Sequence, residues 1–374
     1  NYGFKSFSGD GTSGILVYGA QLNLSDLGGM VNNPDTNSSY VPTTTAVVYA
    51  PRRGHHVYNG SAWVNGGLLH ESEARTNLLT YSNDFTDASW VKVGTSALAL
   101  DAIGPDGQAN TAVTLVDNSA GGSGSVTLTE AGLTVSTSTV YTYSLFAKAD
   151  QLSWFNLGAR NFTTPANSVA FFDLSSGSIG TVSAGLTANI ENVGGGWYRC
   201  SITFTTDATD TVGDLRIELA DADLDFFVDL DGTSSILIYG AQFEQGSTAS
   251  SYIPTNAGAT VTRAAETLTV PAANLPYDST NMSIQMDGKM TYADDDNSAL
   301  PNNQGTSGEV IVYLWKSAND NHLNTTLVTR ASRTGGFALQ QRTPISNKQV
   351  YTTNNAYSAG TNVPFNLSAR YGST

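Results

Sequence analysis

The sequence predicts an all-β protein built from tandem antiparallel β-sandwich domains. Apolar and polar residues alternate with a period of two over several segments, among them residues 141–148 and 197–204. Runs rich in Gly and Ser, such as residues 119–124 and 193–196, separate these segments and are typical of turns. No stretch of a dozen residues keeps the apolar spacing of an amphipathic helix, so strands account for the pattern better than helices do.

An internal repeat indicates how the strands are grouped. Residues 10–21 read DGTSGILVYGAQ and residues 231–242 read DGTSSILIYGAQ; SSYVPT at 38–43 is matched by SSYIPT at 250–255. Two copies of one structural unit are therefore expected. We interpret residues 1–47 as the C-terminal remnant of a first unit and 78–270 as a complete unit. Residues 271–374 are expected to be part of a third, different one.

A hairpin or linker is expected between the first two units, over residues 48–77. Asn59-Gly60 lies between apolar residues, which is a strong hairpin signal. The His55-His56 pair with Arg52 and Arg53 suggests a metal or anion site. Neighbouring residues on a strand point to opposite faces, however, so packing of an inter-domain hairpin is the favoured interpretation.

Composition excludes several classes of function. The chain carries a formal charge of −15, which disfavours binding to nucleic acid. Its longest apolar runs are far shorter than the ~20 residues that cross a bilayer, so no membrane insertion is expected. A single cysteine, Cys200, allows no disulfide within the chain.

Several motifs resemble a segment that is widespread in bacteriophage tail-fibre and head-spike fibre proteins. They are GLLHESEARTNLL at 67–79, YSNDF at 81–85, FAKA at 146–149, GWYR at 196–199, and the block from YGAQ at 239–242 to SYIPT at 251–255. The similarity spans roughly residues 48–265. It implies carbohydrate-binding-module-like jelly rolls in a trimeric fibre of the virion. Residues 368–374 resemble the middle of a laminin-G-like (concanavalin-A-like) domain. One departure is an extra residue between Glu71 and Arg75.

No motif indicates catalysis. Glycan cleavage needs two carboxylates facing each other across the bond, and no pair stands out in the sequence. The metalloprotease, serine-hydrolase and phosphate-loop motifs are missing as well. We therefore expect a protein that is not an enzyme.

Acidic residues over 221–231 raise the question of a structural calcium ion. Asp221, Asp223 and Asp225 supply the hard oxygen ligands that Ca²⁺ takes. The same alternation is typical of a strand with one solvated face, and we favour that interpretation. No other cofactor is expected.

Aromatic residues are the best candidates for a binding site. A sugar ring stacks on a flat apolar side chain while nearby polar groups bind its hydroxyls. Trp197 and Arg199 share one strand face, which binds sugar if it is open and is core if it is covered. Trp154, Asn156 and Arg160 share another face by their even spacing. Trp90 is expected to anchor packing.

These observations favour a non-catalytic fibre or spike segment of a virion that adheres to host surface polysaccharide. Its other partners would be virion proteins and two further copies of the chain. One alternative is a purely structural virion spacer or capsid-decoration protein. Another is a non-catalytic module of a secreted bacterial polysaccharide-degrading enzyme.

Overall fold

A computed structural model of the chain describes residues 52–71, 73–256, 258–266, 281–289, 309–318, 321–328, 336–352 and 364–372. The chain divides into two compact units, residues 1–269 and 270–374. All regular elements of the described residues are β-strands, and every strand pairing is antiparallel. The all-β class is thereby confirmed.

Eighteen strands are described in the first unit and six in the second. In the first unit they are β1 (Arg52–Tyr58), β2 (Trp63–Leu69), β3 (Arg75–Asn77), β4 (Trp90–Val93), β5 (Leu100–Ala102), β6 (Ala112–Val116), β7 (Ser123–Gly124), β8 (Thr127–Thr134), β9 (Val140–Ala149), β10 (Trp154–Arg160), β11 (Ser168–Asp173), β12 (Ser178–Val182), β13 (Thr187–Gly194), β14 (Trp197–Thr205), β15 (Val212–Ala220), β16 (Val228–Asp229), β17 (Ser235–Gln245) and β18 (Val261–Arg263). In the second they are β19 (Asn281–Lys289), β20 (Glu309–Ala318), β21 (Asn321–Val328), β22 (Gly336–Thr343), β23 (Ser346–Tyr351) and β24 (Pro364–Gly372).

Two six-stranded sheets make the sandwich of the first unit. The first sheet has the order β12-β11-β10-β15-β8-β4, and the second has the order β13-β14-β9-β17-β6-β5. Alternate residues of the central strands enter one shared apolar core. From the central strands the core takes Phe155, Leu157 and Ala159 of β10, Tyr141, Tyr143, Leu145 and Ala147 of β9, and Cys200, Ile202 and Phe204 of β14.

The β1–β2 hairpin that Asn59-Gly60 predicted is present, with a longer turn than expected. Tyr58 pairs with Trp63, so four residues rather than two connect the strands. The Asn59 side chain explains the difference. Its Oδ1 accepts hydrogen bonds from the amides of Ser61 and Ala62 at 3.0 and 2.9 Å, which stabilises a wider turn.

A buried polar network closes the sandwich where its N-terminal and C-terminal segments meet. Asn77 is fully buried, and its Nδ2 donates to the carbonyls of Ala241 and Ile253. Its Oδ1 accepts from the amides of Leu79 and Phe243. These contacts join residues 67–79 to the repeated YGAQ and SYIPT blocks.

Trp90 anchors packing in the same region, as its place in the sequence predicted. It is 1% exposed, its ring lies 5.0 Å from that of Phe85, and its Nε1 donates to the Tyr81 carbonyl.

Lys92 supports the turn that precedes β4. Its ammonium donates to the carbonyls of Thr86, Asp87 and Trp90.

The described strands of the second unit form two sheets. β19 pairs with β24, and β20-β21-β22-β23 is a meander of four strands. β20 includes Trp315, whose side chain lies outside the described part of the chain.

Candidate functional site

The candidate site is the outer face of the first sheet, which we call the β10 face. Phe155, Leu157 and Ala159 of β10 enter the core, so the residues between them lie on the other side of the sheet. The structure therefore brings Trp154, Asn156 and Arg160 onto one face, as their even spacing predicted. The neighbouring strands add Phe171 of β11 and, from β15, Arg216 and Glu218.

Trp154 forms one end of the β10 face. It is partly exposed and packs on a small apolar cluster made of Val169, Phe171, Ala220 and Phe226. Gly180 of β12 makes room for the indole, because a Cβ atom at this glycine would lie 2.7 Å from the Trp154 ring. The ring is thus held in place by packing while part of it stays open to solvent.

Polar side chains occupy the centre of the face. Asn156 is fully buried, so we correct the expectation that its side chain binds sugar; its Nδ2 lies 3.4 Å from Glu218 Oε2. The Arg160 guanidinium lies 3.5 Å from the same oxygen and also donates to the Asn167 carbonyl. Among the described residues, two buried atoms of this group have no hydrogen-bond partner, Asn156 Oδ1 and Arg160 Nε.

Burial sets the electrostatics of this centre. It raises the pKa of Glu218, against the opposing effect of Arg216 and Arg160. It also lowers the pKa of Arg160, to which the nearby Arg216 contributes while Glu218 opposes. The partly exposed residues of the face thus combine an aromatic side chain with cationic donors, a combination that binds a polyhydroxylated ring.

Trp197 and Arg199 are buried, so we correct the expectation that they form a binding surface. Trp197 is 3% exposed. Its strand partner Gly194 lies against the hairpin, since a Cβ atom there would be 3.0 Å from the Trp63 indole. Arg199 lies 5.3 Å from the Phe146 ring centroid and donates to Ser144.

The outer face of the second sheet is also covered, which explains why these two residues are enclosed. Ser250 donates to the buried carboxylate of Glu244 through its amide and its hydroxyl, both at 2.7 Å. The Ile253 amide donates to Gln242 Oε1 at 2.6 Å. Residues 250–253 therefore cover the outer face of the second sheet. The sequence alone did not show whether this face is open or covered.

The predicted calcium ligands do not converge, and residues 221–224 form a turn rather than the expected strand. Asp223 accepts hydrogen bonds from the amide and hydroxyl of Thr181. Burial raises the pKa of Asp221, and Asp225 and Asp229 add to the shift. In the part of the chain that the structure describes, no group of three or more His, Cys, Asp or Glu side chains is arranged to hold a metal ion.

The side chains of Arg52, Arg53, His55 and His56 lie outside the described part of the chain. The structure likewise contains no helix, in the ranges that it describes, with the length and hydrophobicity of a bilayer-spanning segment.

Sequence reasoning missed half of the β10 face. Arg216 and Glu218 alternate with Leu215, Ile217 and Leu219, and this period-two pattern was a sufficient signal for a strand with a polar outer face. Phe226 gave no such signal, because it reaches the face through a loop. Trp63 was also missed; it is 55% exposed on the hairpin and packs edge-on against Tyr58.

No protein-family model matches the chain, and no curated protein matches it in sequence. One solved structure that resembles part of it is that of the CBM22-1 and GH10 modules of Clostridium thermocellum endo-1,4-β-D-xylanase 10B in complex with xylohexaose. The identity is 15%, the TM-score is 0.26, and the match covers 49% of this chain and 30% of that chain. Similarity at this level establishes neither a shared fold nor a shared ligand.

Proposed function

We propose that the chain is a non-catalytic, glycan-binding segment of a virion fibre or spike, and that the β10 face binds host surface polysaccharide. The observation that carries the proposal is the shared position of Trp154 and Arg160 on one sheet face, with Arg216 beside them on β15. All three residues are partly exposed.

The chemistry of these side chains suits a hydroxyl-rich ligand. The guanidinium groups of Arg160 and Arg216 are hydrogen-bond donors, and a sugar hydroxyl oxygen accepts from such a donor. Trp154 supplies the apolar surface against which the C–H face of a ring stacks.

The assignment to a virion rests on the motif resemblance given above. In a trimeric fibre with neighbouring virion proteins, several copies of one weak site act together. Linked copies raise the effective concentration of a second binding event without adding contacts.

Binding assays on the full chain test the proposal. Wild type is compared with Trp154→Ala on a glycan array and on immobilised host capsule. Truncating a central aromatic contact costs ~2 kcal/mol, so we expect an affinity about 30-fold lower. Trp63→Ala is the matched control, because it removes an exposed indole that is not on the β10 face.

Equal retention of wild type and Trp154→Ala would contradict the assignment of the β10 face. If even the assembled oligomer binds no glycan in these assays, the proposed adhesion function is wrong. The structural-spacer function would then be favoured, and the burial of Trp197 is the observation that agrees with it.

A further inference from the structure

The β10 face carries two arginines close together. Arg216 of β15 lies opposite Gly158 of β10, and Arg160 follows two residues later on the same face. Gly158 has no side chain, so the Arg160 side chain folds across it. A Cβ atom at Gly158 would lie 3.1 Å from Arg160 Nε and 3.5 Å from Arg216 Cβ.

Two carboxylates neighbour the two guanidinium groups. Glu218 lies 3.5 Å from Arg160. Asp214, which pairs with Arg160 in register, accepts from the Gly132 amide and the Asn161 side chain at the edge of the face. Within the described ranges Arg216 has no ion-pair partner within 4.0 Å, and Thr129 accepts a hydrogen bond from its Nε. The two acids thus balance the charge of the two arginines, but among the described residues no carboxylate holds the Arg216 guanidinium.

The two arginines lie in a chain whose formal charge is −15. The remaining charges repel an anionic ligand from a distance, but salt screens that repulsion beyond ~8 Å at physiological ionic strength. Contact at the two arginines then decides the preference. Guanidinium groups pair with carboxylates through charge-assisted hydrogen bonds, which are stronger than those to the hydroxyls of an uncharged sugar.

We infer that the ligand of the β10 face is an acidic polysaccharide containing uronic acid. A carboxylate of one sugar binds between Arg160 and Arg216, while another sugar of the same chain stacks on Trp154. The two ends are six residues apart along β10, a separation of ~20 Å, so the site takes a polymer rather than a monosaccharide. This inference rests on the proposed function and narrows it to one class of glycan.

The test uses matched polymers that differ only in charge. Polygalacturonate, alginate and hyaluronan are each presented to the full chain beside their methyl-esterified forms, whose backbones are the same but uncharged. We expect each acidic form that is retained to bind about fivefold more tightly than its ester for every carboxylate contact. Arg216→Met should abolish this preference, so that each acidic polymer and its ester bind with equal affinity.

Two controls separate charge from folding. Arg370→Met removes the same charge from β24 in the second unit and should keep the preference. Arg216→Lys keeps the charge and should retain part of it. Accessibility of the buried thiol of Cys200 to labelling reports whether each variant is folded.

Each outcome separates the inference from the proposed function. Equal binding of acids and esters, or tighter binding of esters, overturns the acidic ligand and leaves glycan binding intact. A preference for acids that survives in Arg216→Met overturns the assignment to this arginine pair. Retention of neutral glycans alone overturns the inference as well, and retention of no glycan at all contradicts both.

Discussion

Replacing Asn77 by Ala should strongly destabilise the first unit. The amide of Asn77 is 0% exposed and makes four hydrogen bonds to main-chain groups. Alanine leaves two amides and two carbonyls unpaired, and each such group costs ~1–3 kcal/mol. Because water can enter the space that the side chain leaves, we take the lower end and expect a loss of about 4 kcal/mol. That is a large part of the ~5–15 kcal/mol of a whole domain.

Cys200 allows this loss to be measured in the first unit alone. It is the single cysteine of the chain and is 0% exposed between the two sheets. Burial raises the pKa of its thiol, so labelling reports opening of the core. The urea dependence of labelling gives the free energy of unfolding, and Asn189→Ala on the exposed side of β13 is the control, expected within about 0.5 kcal/mol of wild type.

Asn77→Asp sharpens the same experiment. The aspartate keeps the two acceptor bonds but turns an oxygen toward the carbonyls of Ala241 and Ile253. Its pKa in the folded state should rise, so the variant should gain stability as the pH falls, when the proton supplies a donor. A loss below about 1 kcal/mol in Asn77→Ala, or no effect of pH in Asn77→Asp, would refute the closure network.

Three further predictions concern other parts of the first unit. Burial raises the pKa of Glu130, so the charged carboxylate destabilises the folded state once the pH exceeds this raised pKa. Glu130→Gln should therefore raise the urea midpoint of Cys200 labelling at pH 7–8. Below about pH 4, where the carboxyl is protonated in both states, the two proteins should not differ. An unchanged midpoint at pH 8 would contradict this. Lys92→Met removes three hydrogen bonds to carbonyls and should lower local stability by ~2–3 kcal/mol. The loss should appear as faster hydrogen exchange in residues 84–90. Unaltered exchange there would be inconsistent with the role of the ammonium. Asn59→Ala should speed exchange of the β1–β2 hairpin by about fivefold, and an equal rate would show that its turn does not depend on this side chain.

Period-two alternation predicted the strands well, because it follows directly from the geometry of a pleated strand. It placed Trp154, Asn156 and Arg160 on a single face, and the structure agrees. It also separated Trp197 and Arg199 from the core residues Cys200 and Ile202. What alternation does not reveal is whether the second face of a strand is covered.

That limit explains the correction at Trp197. Its strand partner Gly194 lies against a hairpin distant in sequence, and residues 250–253 cover the outer face of its sheet. Neither contact leaves a local pattern. The strand expected at residues 221–225 was wrong for a related reason. Alternation over a few residues does not distinguish a strand from a turn. There the side-chain bonds of Asp223 to Thr181 contribute to the local structure.

The motifs named for the resemblance include residues that hold the sandwich together. Asn77 and Gln242 are fully buried and bind main-chain groups. The candidate site lies outside those motifs, since Trp154, Arg160 and Arg216 belong to none of them.

Fluorine NMR of the full chain labelled with 5-fluorotryptophan tests glycan binding at the β10 face most directly. The chain has five tryptophans, and each signal is assigned by a single Trp→Phe substitution. On addition of a retained polysaccharide, the Trp154 signal should shift in proportion to occupancy while the buried Trp90 and Trp197 signals stay in place. If saturating glycan leaves the Trp154 signal unshifted, or shifts the Trp63 signal alone, the account is contradicted.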